Sequence, residues 1–182
     1  MKDTRHAIKK AADQVGEHLN QKKGEEFNDL AQKAFKGNLS IKSLAGVSDE
    51  KESAIYGQAY LLYNTGRYKD AAEVFRVLIT INSTEPKYMM GLAACFHMMK
   101  AYDSAISTYM ICSFLDPQNP VSHFHLSDCY LQIGDKISAR AALQSAVKRA
   151  EGKPEFKTLK ERSEITLRGL PEQDGKQATK NT

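Results

Sequence analysis

The sequence is poor in the residues that mark several classes of protein. It contains three cysteines, five prolines and no tryptophan in 182 residues. Cys95, Cys112 and Cys129 are few, odd in number and set in apolar stretches, which excludes a disulfide scaffold and favours a reducing compartment. The chain has no run of about 18 apolar residues, and its first residues lack the apolar core of a signal peptide. We therefore expect a cytoplasmic protein with no stable membrane insertion.

The chain also lacks a large excess of either charge. It carries 26 Lys and Arg against 22 Asp and Glu, which gives a net charge of +4. Nucleic-acid-binding domains concentrate basic side chains on one face, and no such concentration is visible here. Apolar residues make up 41% and charged residues 26%, as in an ordinary soluble globular protein. We expect no nucleic-acid partner.

What the sequence does contain is a repeat with a period of 34 residues. Positions that match at this spacing or twice this spacing are Gly66 and Gly134; Tyr68 and Tyr102; Ala71, Ala105 and Ala139; Phe75, Tyr109 and Leu143; and Leu92 and Leu126. This period, with its small, aromatic, Gly-x-Tyr and Ala positions, resembles the tetratricopeptide repeat. Each unit of that repeat is a pair of antiparallel helices joined by a short turn.

The repeat determines the predicted architecture. We predict an all-α fold, a tetratricopeptide-repeat solenoid of three helix–turn–helix repeats with N-terminal helices and a C-terminal capping helix. Gly66 and Gly134 would allow left-handed backbone at the turns, and the recurring alanines would let paired helices approach closely. One helix pair cannot bury its apolar face alone, so the units would stack.

The predicted segments follow from this register. They are a disordered or loosely helical extension (1–24), an N-terminal helical region (25–51), the repeats over 52–153 (52–85, 86–119 and 120–153), a capping helix (154–170) and a disordered tail (171–182).

A stripe of tyrosines on the first repeat helix indicates a binding surface. Tyr56, Tyr60 and Tyr63 follow i, i+4, i+7 spacing and share one helix face. Such a stripe is often core, but Ala59 and Leu62 already occupy the core positions of this repeat. Tyrosine and methionine suit an extended peptide with a few apolar anchors. The predicted peptide-binding groove comprises Tyr56, Tyr60, Tyr63, Asn64, Met90, His97, Phe124 and Leu131.

The stretches "YGQAYLLYNTGRYKDAAEVF" and "YMMGLAACFHMMKAYDSAI", with the preceding "LSIKSLAGVSDEKESAIYGQAY", resemble the translocator-binding (class II) chaperones of bacterial type III secretion. The resemblance covers about residues 25–170. It implies a chaperone of the bacterial cytoplasm that binds an extended apolar segment of secreted, pore-forming translocator proteins, often of the form Pro-x-Leu-x-x-Pro. Such binding keeps the client soluble and secretion-competent.

The same resemblance implies roles for particular residues. It places Tyr56, Tyr60 and Tyr63 among the aromatic residues that line the groove, with Met90 and His97 contributed by the second repeat. It also implies a possible homodimer formed through the N-terminal helical region.

Three alternatives remain at this point. The first is a generic tetratricopeptide-repeat scaffold with another client. The second is a co-chaperone that clamps an acidic tail, but it would need Lys and Asn where this chain has Tyr56 and Tyr60. The third is an enzyme or a metal protein.

The metal alternative rests on His125 and Cys129, one helical turn apart, and on Cys95 beside His97. However, the two cysteines fall in one repeat column that ordinarily holds a packed small residue. No nucleophile–base pair or phosphate loop is visible. We expect no metal, no cofactor and no enzymatic activity.

Overall fold

The computed structural model describes residue 42 and residues 46–170. The chain divides into two units, residues 1–48 and 49–182. The predicted extension (1–24), most of the predicted N-terminal helical region (25–51) and the predicted tail (171–182) lie outside the described residues. In the first unit, Gly46 has φ 61° and the N–H of Val47 donates to the carbonyl of Lys42 at 3.1 Å, as at a helix C-terminus.

The described part of the second unit consists of helices. These are α1 (Asp49–Asn64), α2 (Tyr68–Ile81), α3 (Pro86–Met98), α4 (Tyr102–Leu115), α5 (Pro120–Gln132), α6 (Lys136–Ala150), a 3₁₀ turn (Pro154–Phe156) and α7 (Lys157–Gly169). Each helix packs chiefly on the helices before and after it in the chain. The predicted all-α solenoid of stacked helical hairpins is therefore confirmed.

The turn inside each repeat has the same geometry. Gly66, Lys100 and Gly134 lie 34 residues apart and have φ values of 79°, 60° and 81°. At the first turn, the N–H of Arg67 donates to the carbonyl of Leu62 at 2.9 Å, and the equivalent bond recurs at the other two turns. This is the Schellman arrangement, which satisfies carbonyls at a helix C-terminus. The left-handed glycines are confirmed, and Lys100 adopts the same conformation without being glycine.

Prolines and polar caps begin the helices of the later repeats. Pro86 and Pro120 occupy the first turns of α3 and α5, where a missing N–H costs no helical hydrogen bond. The Asn119 side chain accepts from the N–H of Val121 at 3.0 Å and so caps α5. These signals separate one repeat from the next.

The core consists of two buried clusters along the repeats and depends on small residues. The recurring alanines Ala71, Ala105 and Ala139 are fully buried where helices cross. A side chain as small as a Cβ at Gly91 of α3 would overlap the ring of Phe75 on α2. Close helix packing therefore excludes a side chain at that position.

The last helix covers the end of the third repeat. Pro154, the predicted start of the capping helix, begins the 3₁₀ turn, and the α-helix begins at Lys157. α7 packs against α6 with Ser163 fully buried, while Ile165 is exposed. Within residue 42 and residues 46–170, no helix has both the length and the hydropathy to span a bilayer.

Candidate peptide-binding site

A cavity of about 410 Å³ opens among the repeat helices. Its lining comes from α1, α3, α4, α5, α6 and α7. The lining residues are Tyr63, Ala94, His97, Met98, Tyr109, Phe124, His125, Ser127, Asp128, Leu131, Leu143, Arg162 and Thr166. The volume falls in the range of about 300–1,000 Å³ that is usual for ligand pockets. Its mixture of rings, aliphatic groups and a few polar atoms suits a peptide side chain or two.

Four of the eight residues in the predicted groove meet in this cavity. They are Tyr63, His97, Phe124 and Leu131. The first helix of each repeat supplies at least one of them, because inward-facing positions recur with the repeat. Tyr63 is half-buried and its ring meets that of Tyr68 edge-on, with 5.4 Å between centroids. The cavity thus joins all three repeats.

Tyr56 and Tyr60, hereafter the tyrosine row, lie on α1 outside the cavity wall. Their rings stack with 6.5 Å between centroids, and Tyr60 is 56% exposed. Tyr56 is half-buried and its ring lies 6.2 Å from that of Phe75 and 5.7 Å from that of Tyr88. The Lys87 ammonium lies 5.4 Å from the centre of the Tyr56 ring. The row is therefore anchored to the core at one end and open to solvent at the other.

Asn64 and Met90 also lie outside the cavity wall. Asn64 is exposed at the last position of α1. Met90 on α3 is half-buried and packs against the core cluster that includes Ala93 and Tyr109. Met90 lies one turn before Ala94, which does line the cavity, so both share one face of α3.

The cavity contains a polar cluster that sequence reasoning did not assemble. The His97 Nε2 lies 2.9 Å from an Asp128 carboxylate oxygen, within ion-pair distance, so this contact links α3 to α5. The His125 ring stacks on the Tyr109 ring at 5.3 Å with an interplanar angle of 16°. The His97 and His125 ring centroids are 6.1 Å apart. Two imidazoles, a phenol and a carboxylate therefore share one small space.

Burial determines the protonation of two of these groups. Desolvation lowers the pKa of His125, the nearby His97 and Arg162 lower it further, and Asp128 opposes them. Desolvation also raises the pKa of Tyr109. Near neutral pH, His125 is an uncharged imidazole and Tyr109 an uncharged phenol. Both contribute polar, adaptable contacts rather than fixed charges.

The last helix supplies part of the wall. The Arg162 guanidinium lies 5.2 Å from the centre of the Phe124 ring, a cation–π contact between α7 and α5. Thr166, one turn further along α7, also lines the cavity. Arg162, Thr166, Tyr109 and His125 were missed as groove residues. The i, i+4 spacing of Arg162 and Thr166, around a small Ser163, was the available signal.

The cysteines considered as metal ligands are packing residues. Cys95 and Cys129 are fully buried and free, and burial raises the pKa of each thiol to about 11. A metal would need thiolates, which this environment disfavours. Among residue 42 and residues 46–170, no group of three or more His, Cys, Asp and Glu side chains could hold a metal ion.

Comparisons with known proteins agree with this geometry. Sequence models of the tetratricopeptide repeat match residues 54–83, 86–119 and 121–153. The chain is 33% identical over 142 residues to the low calcium response locus protein H of Yersinia pseudotuberculosis, covering 78% of this chain and 84% of that protein. Its fold matches the type III secretion translocator chaperone SycD of Yersinia enterocolitica with a TM-score of 0.69 and 32% identity, covering 72% of this chain and 98% of SycD. The chain belongs to this tetratricopeptide-repeat family of type III secretion translocator chaperones.

Other members of the translocator chaperone family extend the comparison. The chain is 27% identical over 118 residues to the chaperone protein SicA of Salmonella typhimurium, covering 65% of this chain and 72% of SicA. SycD is also known in complex with a peptide of the translocator YopD; that structure matches with a TM-score of 0.66 and 32% identity, over 68% of this chain and 95% of that one. The resemblance predicted from the repeats and the tyrosine-rich first helix is confirmed.

Proposed function

We propose that this protein is a type III secretion chaperone that binds an extended apolar segment of a secreted translocator protein. The carrying observation is the cavity joining all three repeats, with Tyr63, Phe124 and Leu131 in its wall. Its relatives support the client class. SycD binds a peptide of YopD, and PcrH of Pseudomonas aeruginosa, whose fold is also similar to that of this chain, binds the chaperone-binding regions of PopD and PopB. Binding would keep the client soluble and secretion-competent, since it covers apolar surface that would otherwise aggregate.

The tyrosine row extends this site along α1. Tyr56 and Tyr60 lie on the helix face that leads to Tyr63, and Asn64 follows Tyr60 by one turn. On α3, Met90 likewise lies just outside the cavity, one turn before the lining residue Ala94. A client segment longer than the cavity would therefore continue over these residues. Tyrosine offers a broad ring and a hydroxyl there, which favours tolerant contacts with an extended chain.

Magnitudes limit the affinity of such a site. Each fully buried apolar anchor contributes roughly 1.5–3 kcal/mol. Three anchors give roughly 5–9 kcal/mol, and ordering a flexible peptide offsets a good part of this. We expect micromolar dissociation constants, about 1 μM or weaker, for a short peptide.

The mode of action and the setting follow from the family. The relatives are chaperones, and we propose that this chain likewise acts by binding and not by catalysis. We place it in the bacterial cytoplasm, where a translocator must be held before export. One crystal form of SycD is described as an alternative dimer. A homodimer through residues 25–51 of this chain stays a prediction.

The test is a calorimetric titration of the full chain with a translocator peptide of the form Pro-x-Leu-x-x-Pro. Tyr63→Ala should weaken binding by about 1.5–3 kcal/mol because it removes an anchor from the cavity wall. Tyr60→Ala should weaken it less, because that ring is more than half exposed. Leu61→Ala, an equally exposed residue on the same helix, is the matched control and should bind normally.

Folding must be checked alongside affinity, because Tyr63 also packs against the core cluster that includes Ala59, Phe75 and Tyr88. Leu131→Ala provides a second cavity variant on a different repeat. If both variants retain native circular dichroism and bind the peptide as tightly as the wild type, the cavity is not the client site. Binding of unrelated extended peptides with equal affinity would instead favour a generic scaffold.

A further inference from the structure

The charged groups of the cavity differ in how far their hydrogen-bonding capacity is used. Apart from the phenols of Tyr63 and Tyr109, four lining residues are ionisable: His97, His125, Asp128 and Arg162. Asp128 already has the His97 Nε2 within ion-pair distance at 2.9 Å, and burial favours the uncharged form of His125. Arg162 has no carboxylate within ion-pair distance and donates no hydrogen bond among the residues that the structure describes. Its described partner is the Phe124 ring.

Stacking on Phe124 leaves the useful edges of the guanidinium available. A cation–π contact engages the flat face of the group, whereas its five N–H donors point outward in the plane. Those donors form a fork that matches the two oxygens of a carboxylate. The ring also restrains the side chain, so less conformational entropy is lost when a ligand binds. Arg162 is thus an exposed arginine held against Phe124 at the cavity wall, with no described anion partner for its N–H donors.

Other ligand groups fit this position less well. A backbone carbonyl can accept one N–H, but it offers one oxygen and no full charge. A lysine of the client would meet Arg162 as a like charge, and the Asp128 carboxylate already has the His97 Nε2 2.9 Å away. A carboxylate side chain satisfies both the charge and the fork.

We propose that Arg162 selects a client segment with an Asp or Glu beside the apolar residue that packs on Phe124 and Leu131. This inference rests on the proposed function, because it concerns the same cavity. It adds a requirement for an acidic client residue to the apolar contacts of the site. Translocator segments with an acidic residue at that place would bind ahead of otherwise equal segments without one.

The test uses the full chain and a set of synthetic peptides of the form Pro-x-Leu-x-x-Pro. In the parent peptide all positions except the two prolines and the leucine are Asn. Each Asn in turn is replaced by Asp or by Lys. At one position or two neighbouring ones, Asp should tighten the dissociation constant roughly three- to tenfold over Asn, and Lys should weaken it. The range lies between that of an exposed ion pair and that of a buried charge-assisted hydrogen bond.

Substitution of the arginine separates its role from that of the cavity. In Arg162→Gln the ratio of the Asn to the Asp dissociation constant should fall to about one, whatever the change in affinity for the parent peptide. Arg162→Lys keeps the charge without the fork and should retain part of the preference. Arg168→Gln, on the same helix but outside the cavity wall, is the control and should retain all of it.

The outcomes distinguish the inference from the function beneath it. If the parent peptide binds and Leu131→Ala abolishes binding, but no Asp position matters, the charge requirement is wrong and the proposed function stands. An Asp preference that survives in Arg162→Gln also overturns the assignment. If no peptide of the set binds, the proposed function fails and the inference fails with it.

Discussion

The two ends of the proposed site are built from different materials. At the first repeat, the tyrosine row presents rings that contact one another and the core, down to Tyr88. At the third repeat, the wall holds His125, Asp128 and Arg162 beside Phe124. Apolar rings give affinity with little discrimination between clients, whereas an oriented charge discriminates strongly between side chains. We therefore expect the first repeat to contribute mainly to affinity for a client and the third repeat mainly to selectivity between clients.

The buried cores beneath the two ends also differ. Beneath the tyrosine row, the buried carboxylate of Glu52 accepts from the Tyr88 hydroxyl at 2.7 Å and from the Asn82 amide at 3.1 Å. The hydrogen bond to Glu52 and burial together raise the pKa of Tyr88, with burial the larger cause. The second core cluster instead contains Tyr109, Cys112 and Cys129 and adjoins the open cavity. Buried hydrogen bonds therefore support the first end, whereas the core of the other end borders open space.

The largest expected effect tests the packing between α2 of the first repeat and α3 of the second. Gly91→Ala should lower the free energy of unfolding by about 3 kcal/mol, because the new methyl group overlaps the Phe75 ring and neither helix can withdraw easily. Urea denaturation followed by circular dichroism measures it. Phe75→Leu in the Gly91→Ala background should recover part of the loss.

Gly57→Ala is the matched control for this substitution. Gly57 lies in the middle of α1 with open space around its Cα, so alanine should raise stability by about 0.5–1 kcal/mol through helix propensity alone. Equal effects at the two glycines would contradict the close approach of α2 and α3.

A smaller effect, the pH dependence of stability caused by protonation of one imidazole, tests the third-repeat end of the site. The pKa of His125 is lowered in the folded state, so below its unfolded value of about 6.5 the unfolded chain binds the proton more readily. Stability should therefore fall as the pH drops from the neutral range through that value. His125→Phe keeps a ring on Tyr109 but removes the titration, and should flatten this part of the stability profile.

Chemical denaturation at a series of pH values measures the slope. His123, whose pKa is also lowered by burial, continues to titrate in His125→Phe, so a residual slope is expected. The slope should decrease further in a His123→Phe, His125→Phe double variant. An unchanged slope in His125→Phe would show that this imidazole is not desolvated as described.

The smallest effect concerns the turn between the two ends. Lys100 holds a positive φ that costs a side-chain-bearing residue about 1–2 kcal/mol, whereas glycine has no such penalty. Lys100→Gly also raises the entropy of the unfolded chain, which offsets about 0.5–1 kcal/mol. A net gain of about 0.5–1 kcal/mol is expected in thermal or urea unfolding. Lys100→Ala retains the strained backbone and should show no such gain.

The sequence predicted what the repeat register determines. A period of 34 residues fixes which positions are small, which turn and which face inward, so the helices, the left-handed glycines and Tyr63, His97, Phe124 and Leu131 followed from it. The spacing of the tyrosine stripe predicted which helix face its residues share, but not how deeply each one is buried. It could not show that Tyr60 remains exposed while Tyr56 leans on the core.

The remainder depended on packing that no register describes. α7 lies beyond the last repeat, so the inward direction of Arg162 depends on how Ser163 fits against α6. His125 was noticed only as a possible metal ligand, because its stacking partner Tyr109 is distant in the chain. Lys100 gave no turn signal, because a turn with this left-handed backbone usually contains glycine at that position.

The burial of the native thiols has a practical consequence for studying this chaperone. Cys95, Cys112 and Cys129 are enclosed, and burial raises the pKa of each to about 11, 12 and 11. Maleimides and thiol-reactive nitroxide reagents are attacked by the thiolate, which is scarce at neutral pH under these conditions. A cysteine substituted for the exposed Tyr60 would then be labelled selectively in an otherwise natural chain. A fluorophore or spin probe placed there could follow a client arriving at the tyrosine row in real time.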